Sequence, residues 1–299
     1  MLPLVFASTL LAAAVSNEAE VLRLKLSAPA ELSVGEPMKL TVEWSTTRPI
    51  EVVTAKAQVW LDDGMGFRPY HETSFGTGST VHFPELITPS ATIVTEHVIA
   101  VSGYAAGPDE KHFALAFPRA GRYQVKVQYK DAVSNVAAIR VVLPKGKDAE
   151  LLSRYLLHRP ELLSEWGLIE DFGASVLEQA LQEHRGSRYL AHSKVLLWKT
   201  RLEEARASDR RIGAKLTEGK VSRLLEEMGT DDLEDSPFEE DRLLLLAETA
   251  AAVGDRAKAR ASYERILAKH PKSHAAMKAK RWMADEEAMA ADREEAVVK

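Results

Sequence analysis

The nine histidines of this 299-residue chain are the first place to look for metal or acid–base chemistry, because the chain contains no cysteine. His270 and His274 stand four apart, the separation that puts two imidazoles on one helical face, but Pro271 lies between them and breaks that face. His184 and His192 straddle a turn at Gly186 with no carboxylate at a fixed spacing, so they read as exposed or core-edge side chains. The acidic run Asp231-Asp232-Leu233-Glu234-Asp235, followed by Glu239-Glu240-Asp241, lacks the bend glycine that a calcium loop needs. It reads as a solvated loop feeding negative charge into a helix N-terminus. No G-x-S-x-G or H-E-x-x-H motif occurs, and Gly76-Thr77-Gly78-Ser79-Thr80 lacks the lysine and following helix of a phosphate loop, so it reads as a hairpin tip. No catalytic residue, metal or cofactor is expected, and the chain is read as a non-enzyme.

One further group could bind a ligand. Trp60, Phe67, Tyr70, Phe75 and Phe83 could stack on sugar rings if exposed, or fill a core and its cross-strand contacts if not; the second reading is favoured, because aromatics are ordinarily how a small β-domain builds its core. The elements around them have period two from Val21 to about Leu143. Leu22, Leu24 and Leu26, then Leu40, Val42 and Trp44, and later Tyr123, Val125, Val127 and Tyr129 alternate with polar neighbours. Turns such as Gly35-Glu36-Pro37 and Asp62-Asp63-Gly64 separate these runs. Seven or more short strands in this span predict an antiparallel β-sandwich. The stretch from Phe117 to Tyr129, a glycine turn before a Tyr-x-Val-x-Val strand, resembles bacterial immunoglobulin-like modules; the resemblance implies a fold and says almost nothing about ligands.

Proline, glycine and charge between Pro144 and Asp148 read as a linker, and the period beyond becomes helical. Leu151, Leu152, Tyr155 and Leu156 begin one helix, which Arg159-Pro160 interrupts; another spans roughly Ala174 to His184. Ala191, Val195, Trp198, Leu202 and Ala205 form a stripe on a long helix, and Val221, Leu224, Leu225 and Met228 mark the next. From Leu243 to Pro271 residue types fall at the spacings of a helical hairpin. Gly254 suits the left-handed end of one helix and Asp255 the cap of the next, Ala259 allows close backbone approach, Tyr263 fills the gap, and Pro271 stops the second helix. Ser236-Pro237-Phe238-Glu239 reads as a capping box with proline at the first helical position. This hairpin resembles a tetratricopeptide (TPR) repeat whose first residue is Glu240, with Leu243, Leu246 and Ala247 at packing positions; Ala250 stands where the family places an aromatic. The stretch from Leu177 to Ser187 can also be laid on Tyr263 to Ser273, with Glu, Leu, His and Ser coinciding, as a diverged neighbour would require. A last helix from about Ser273 reads as a cap.

The first 16 residues carry no charged side chain, are mostly apolar, and offer Ala14-Val15-Ser16 as a cleavage site before Asn17, so they read as a secretory signal peptide. Export without cysteine suggests a bacterial periplasmic or extracellular protein, with no transmembrane segment in the mature chain. Residues 1–147 hold 14 basic and 14 acidic side chains and the remainder 25 and 30, so neither half has the basic balance of a nucleic-acid partner.

The expected architecture is therefore an all-β domain followed by an all-α domain: signal peptide 1–16, immunoglobulin-like antiparallel β-sandwich 17–143, linker 144–148, TPR-like α-helical array 149–291 and a frayed tail 292–299. The expected function is non-catalytic protein binding or scaffolding, with a protein or peptide partner that could be a cell-envelope component. The TPR resemblance implies a groove lined by the first helix of each hairpin, here by Asp241, Leu244, Glu248 and Ala251, with Lys272 near its exit. Two readings stay open beside it: a carbohydrate or cell-wall binding module using Trp60 or Tyr70, and a hydrolase whose polar cluster is assembled between the domains.

Overall fold

The computed structural model describes residues 21–70, 84–107, 110–163, 173–212, 218–231, 233 and 236–298. The signal-peptide segment, the Gly76–Thr80 tip, Phe75, Phe83, Asp232, Glu234 and Asp235 lie outside them.

The N-terminal half is β-rich. Its strands are β1 (Leu22–Ser27), β2 (Glu31–Ser33), β3 (Met38–Thr46), β4 (Ile50–Val52), β5 (Gln58–Asp62), β6 (Arg68–Pro69), β7 (Glu85–Ile87), β8 (Ile93–Ile99), β9 (Val101–Gly107), β10 (Glu110–Leu115), β11 (Gly121–Tyr129), β12 (Ala132–Val133) and β13 (Ala137–Val142). One sheet has the order β1-β3-β8; another has β2-β13-β11-β5-β6, antiparallel except where β2 runs parallel to β13. The two face each other because each strand sends alternate residues inward. Met38, Leu40, Val42 and Trp44 of β3 are completely buried, as are Val125 and Val127 of β11. Trp44 meets Tyr129 edge-on at 5.4 Å across the gap, and its indole N–H donates to Thr95 Oγ1 at 2.8 Å. At the start of β11 the Tyr123 hydroxyl donates back to the Arg119 carbonyl at 3.0 Å.

The C-terminal half is helical: α1 (Lys147–Leu151), α2 (Gly173–Glu183), α3 (Leu190–Ile212), α4 (Glu218–Thr230), α5 (Glu239–Val253), α6 (Arg256–Lys269) and α7 (His274–Val298). Helix α1 begins inside the stretch read as a linker and continues as a π-turn from Leu152 to Leu156, and the turn Pro160–Leu163 follows the Arg159-Pro160 break. Helix α7 runs on through the stretch read as a frayed tail. From α3 onward each helix packs on the next, and α5 also touches α3 and α7.

The hairpin from α5 to α6 is built as its residues dictate. Gly254 closes α5 at φ +85°, Asp255 Oδ1 accepts the Lys258 amide at 3.0 Å, and Ala259 and Tyr263 are buried at the crossing. The capping box does not form. The helix starts at Glu239, two residues later than the box requires, and Ser236 Oγ accepts the Phe238 amide at 3.2 Å. The Glu239 carboxylate does not turn back to Ser236, because Lys269 Nζ at 3.0 Å and Arg265 Nη2 at 3.2 Å claim it. The α2–α3 and α6–α7 junctions share one bonding pattern. His184 N donates to Ala180 O and Ser187 N to His184 O, just as His270 N donates to Ile266 O and Ser273 N to His270 O; each serine is buried at the start of the following helix.

Two cores result. The first joins both sheets to Leu151, Leu152, Leu156, Leu162, Leu163, Leu177, Tyr189, Leu196 and Leu197, so the first helices are welded to the β half. Gly35 marks that weld: at φ +73° a Cβ there would lie 3.0 Å from the Leu152 side chain and 3.1 Å from that of Leu115. The second core gathers Val195, Trp198, Leu202 and the inward faces of α4 to α7. Helix α3 contributes to both.

Candidate binding face and the buried charge cluster beside it

Asp241, Leu244, Glu248 and Ala251 recur every three or four residues along α5 and so share a face. The structure also shows what lies against that face. Lys39 reaches from β3 to Asp241 Oδ2 at 2.9 Å, a contact spanning 202 residues of sequence. Leu244 and Ala251 are half-buried against the second core. Glu248 accepts Lys278 of α7 at 2.9 Å, and burial together with the nearby Glu248 charge pushes the Tyr263 phenol up to about 12. Lys272 is exposed in the α6–α7 turn. The β half therefore meets the face at Asp241, and α7 meets it at Glu248.

Lys39 belongs to a buried cluster that joins residues far apart in the chain. Its ammonium is 2.6 Å from Glu96 of β8, 2.9 Å from Asp241 and 3.9 Å from Glu240, with side-chain exposures of 7% for Lys39 and 4% for Glu240. Burial would pull the lysine down, but Asp241 and Glu96 outweigh it and hold the group above its ordinary value. Burial pushes Glu96 up to about 7 against the pull of Lys39, and the charges of Glu240 and Asp241 add to the rise. His270 Nδ1 lies 3.8 Å from Glu240, whose Oε2 has no hydrogen-bond partner. Nothing in sequence spacing links positions 39, 96, 240 and 270; only their side-chain types could have flagged them.

The histidines read as exposed or core-edge are buried instead. His184 meets the Tyr155 ring edge-on, and His192 lies against Phe238 with Nε2 3.2 Å from the Leu163 carbonyl. Asp231, expected in a solvated loop, is half-buried against Lys194. Among the described residues no group of three or more potential metal ligands converges, and no helix is long and apolar enough to cross a membrane. Of the aromatics, Tyr70 is buried and donates to the Val101 carbonyl at 2.7 Å, while Trp60 and Phe67 are half-buried under the Lys126 ammonium. Tyr70 thus presents no ring face for a sugar to stack on.

No protein family and no curated relative matches this chain. Among solved structures it is similar to a chain described as a polysaccharide lyase, with 9% identity and a TM-score of 0.19 over 87% of this chain and 46% of that one. The chain thus spans under half the length of that lyase, and an overlap this poor bears on neither fold nor activity.

Proposed function

We propose that this is an exported, non-catalytic binding protein: an immunoglobulin-like β-sandwich followed by a TPR-like helical array that takes a protein or peptide partner along the α5 face. The observation that carries this reading is the α5–Gly254–α6 hairpin with its small-residue crossing at Ala259, together with the junction that recurs 86 residues apart between Ala180–Ser187 and Ile266–Ser273. A single hairpin cannot bury its own faces, and a stack in which α5 touches both α3 and α7 is what repeats require. For the β half, the reading is supported by the order β2-β13-β11-β5-β6 opposite β1-β3-β8, by the parallel β2–β13 pair, and by the tyrosine at the start of β11 bonding back to the chain. Export rests on the uncharged apolar first 16 residues.

The test is capture of a partner from cell-envelope extract by the full chain and by a Glu248→Lys, Ala251→Leu variant, with bound proteins identified and folding checked by circular dichroism. Loss of one specific protein by the folded variant supports the reading. Undiminished capture removes the α5 face from it.

A further inference from the structure

The two helical units are attached to the β half by different physics. The first is welded by a continuous apolar core that runs from Leu115 and Phe117 through Leu152 to Tyr189, whose hydroxyl donates to the Val34 carbonyl. The second, α4 to α7, meets the β half on the outer face of β3 and β8. There Val98 packs against its core, Val94 bridges to Ser273, and Lys39 and Glu96 face Glu240 and Asp241 in the first turn of α5. Helix α3, with Leu196 and Leu197 in one core and Val195 and Trp198 in the other, spans both units.

We infer that the Lys39–Glu96–Glu240–Asp241 cluster is a proton-operated latch: with Glu96 protonated it holds the second helical unit closed on the β3–β8 face, and ionisation of Glu96 lets that unit swing out on α3 and uncover the Asp241 end of the binding face. The inference rests on the α5 face being the binding face.

The charge arithmetic favours this direction. Three carboxylates surround one ammonium, and desolvated like charges repel strongly unless one carries a proton. Among the described residues His270 also lies beside the cluster, with Nδ1 3.8 Å from Glu240. Glu239, next along α5, is already neutralised by Arg265 and Lys269. A carboxyl held at about 7 when docked and lower when released leaves docking at full strength below its released value. Docking then weakens as pH rises toward 7. The closed-to-open ratio therefore falls across that window.

The absence of native cysteine allows clean spin-labelling. Labels at Lys25→Cys on β1 and Arg260→Cys on α6, both exposed, report the distance across the latch, while Lys25→Cys with Ser175→Cys reports across the welded core. Double electron–electron resonance should give one distance for the first pair at pH 5.5, with a longer population growing by pH 8.5, and no change for the second pair. Glu96→Gln should stay closed at pH 8.5, and Lys39→Met should open at both; if Lys39→Met does not fold, Glu96→Gln alone decides. A pH-invariant first distance, or an unaltered pH response in Glu96→Gln, overturns the latch. Partner capture at both pH values, with and without Glu248→Lys, Ala251→Leu, tests the binding face separately. Opening without a matching gain in capture refutes the link between latch and groove, whereas capture lost in the variant without any opening keeps the groove and refutes the latch.

Discussion

Replacing Lys39 by Met keeps the length and apolar stem of the side chain and removes its charge. At 2.9 Å and an effective dielectric of about 20, one ammonium–carboxylate pair attracts by roughly 6 kcal/mol before desolvation is subtracted. Lys39 makes two such contacts, at 2.6 and 2.9 Å, and is only 7% exposed. Removing one partner of a buried ion pair leaves the other desolvated and uncompensated, at a cost of about 3–5 kcal/mol. Glu96 can take up a proton to relieve part of this, so the expected loss is near the lower end, about 3 kcal/mol, at pH 5.5, where the cluster is closed. Urea unfolding at 25 °C, followed by far-ultraviolet circular dichroism and tryptophan fluorescence, measures it. Because the site is desolvated, the loss should persist in 0.5 M salt. Lys39→Met with Asp241→Asn should recover part of it, since one of the orphaned charges is gone. A change under about 1 kcal/mol at pH 5.5 would refute the view that this cluster docks the helices on the sheet.

Ala259→Leu should destabilise by about 1–3 kcal/mol, read as a lower urea midpoint, because α5 and α6 cross with that position fully buried. Tyr123→Phe, which removes the bond to the Arg119 carbonyl, should lose about 0.5–1.5 kcal/mol in the same assay without altering the circular dichroism of the helices. Gly254→Ala should cost about 1 kcal/mol, since its φ of +85° strains any residue with a Cβ. Trp60→Ala should leave retention on insoluble cell-wall polysaccharide unchanged in affinity electrophoresis; lost retention would reinstate the carbohydrate reading.

Local chemistry was legible in the sequence and long-range chemistry was not. The inward alternation along β3 and β11, the stripe on α3, and the turn from Gly254 to Asp255 follow from period and from single-residue backbone preferences, which act over a few positions. The same locality explains the failures. Ser236-Pro237-Phe238-Glu239 has the residue types of a capping box, but Lys269 and Arg265 lie 30 and 26 residues away and win Glu239. His184 and His192 look polar in sequence, yet the packing of α2 and α3 on the segments beside them buries both rings. Asp241 could be placed on a helix face from its position in the hairpin. That a lysine from the third strand would meet it depends on how two halves dock, and no periodicity encodes that.

The proposed function requires a partner that lies along α5 and not on the sheet. A photo-crosslinking residue placed at Ala251 of the full chain, beside others at Glu264 on the outer side of α6 and at Gln124 on β11, tests this in cell-envelope extract. One protein adduct should form at position 251, be absent at 264 and 124, and be lost on adding Glu248→Lys. An adduct that forms at 124 and not at 251 would contradict it and move the function to the β half.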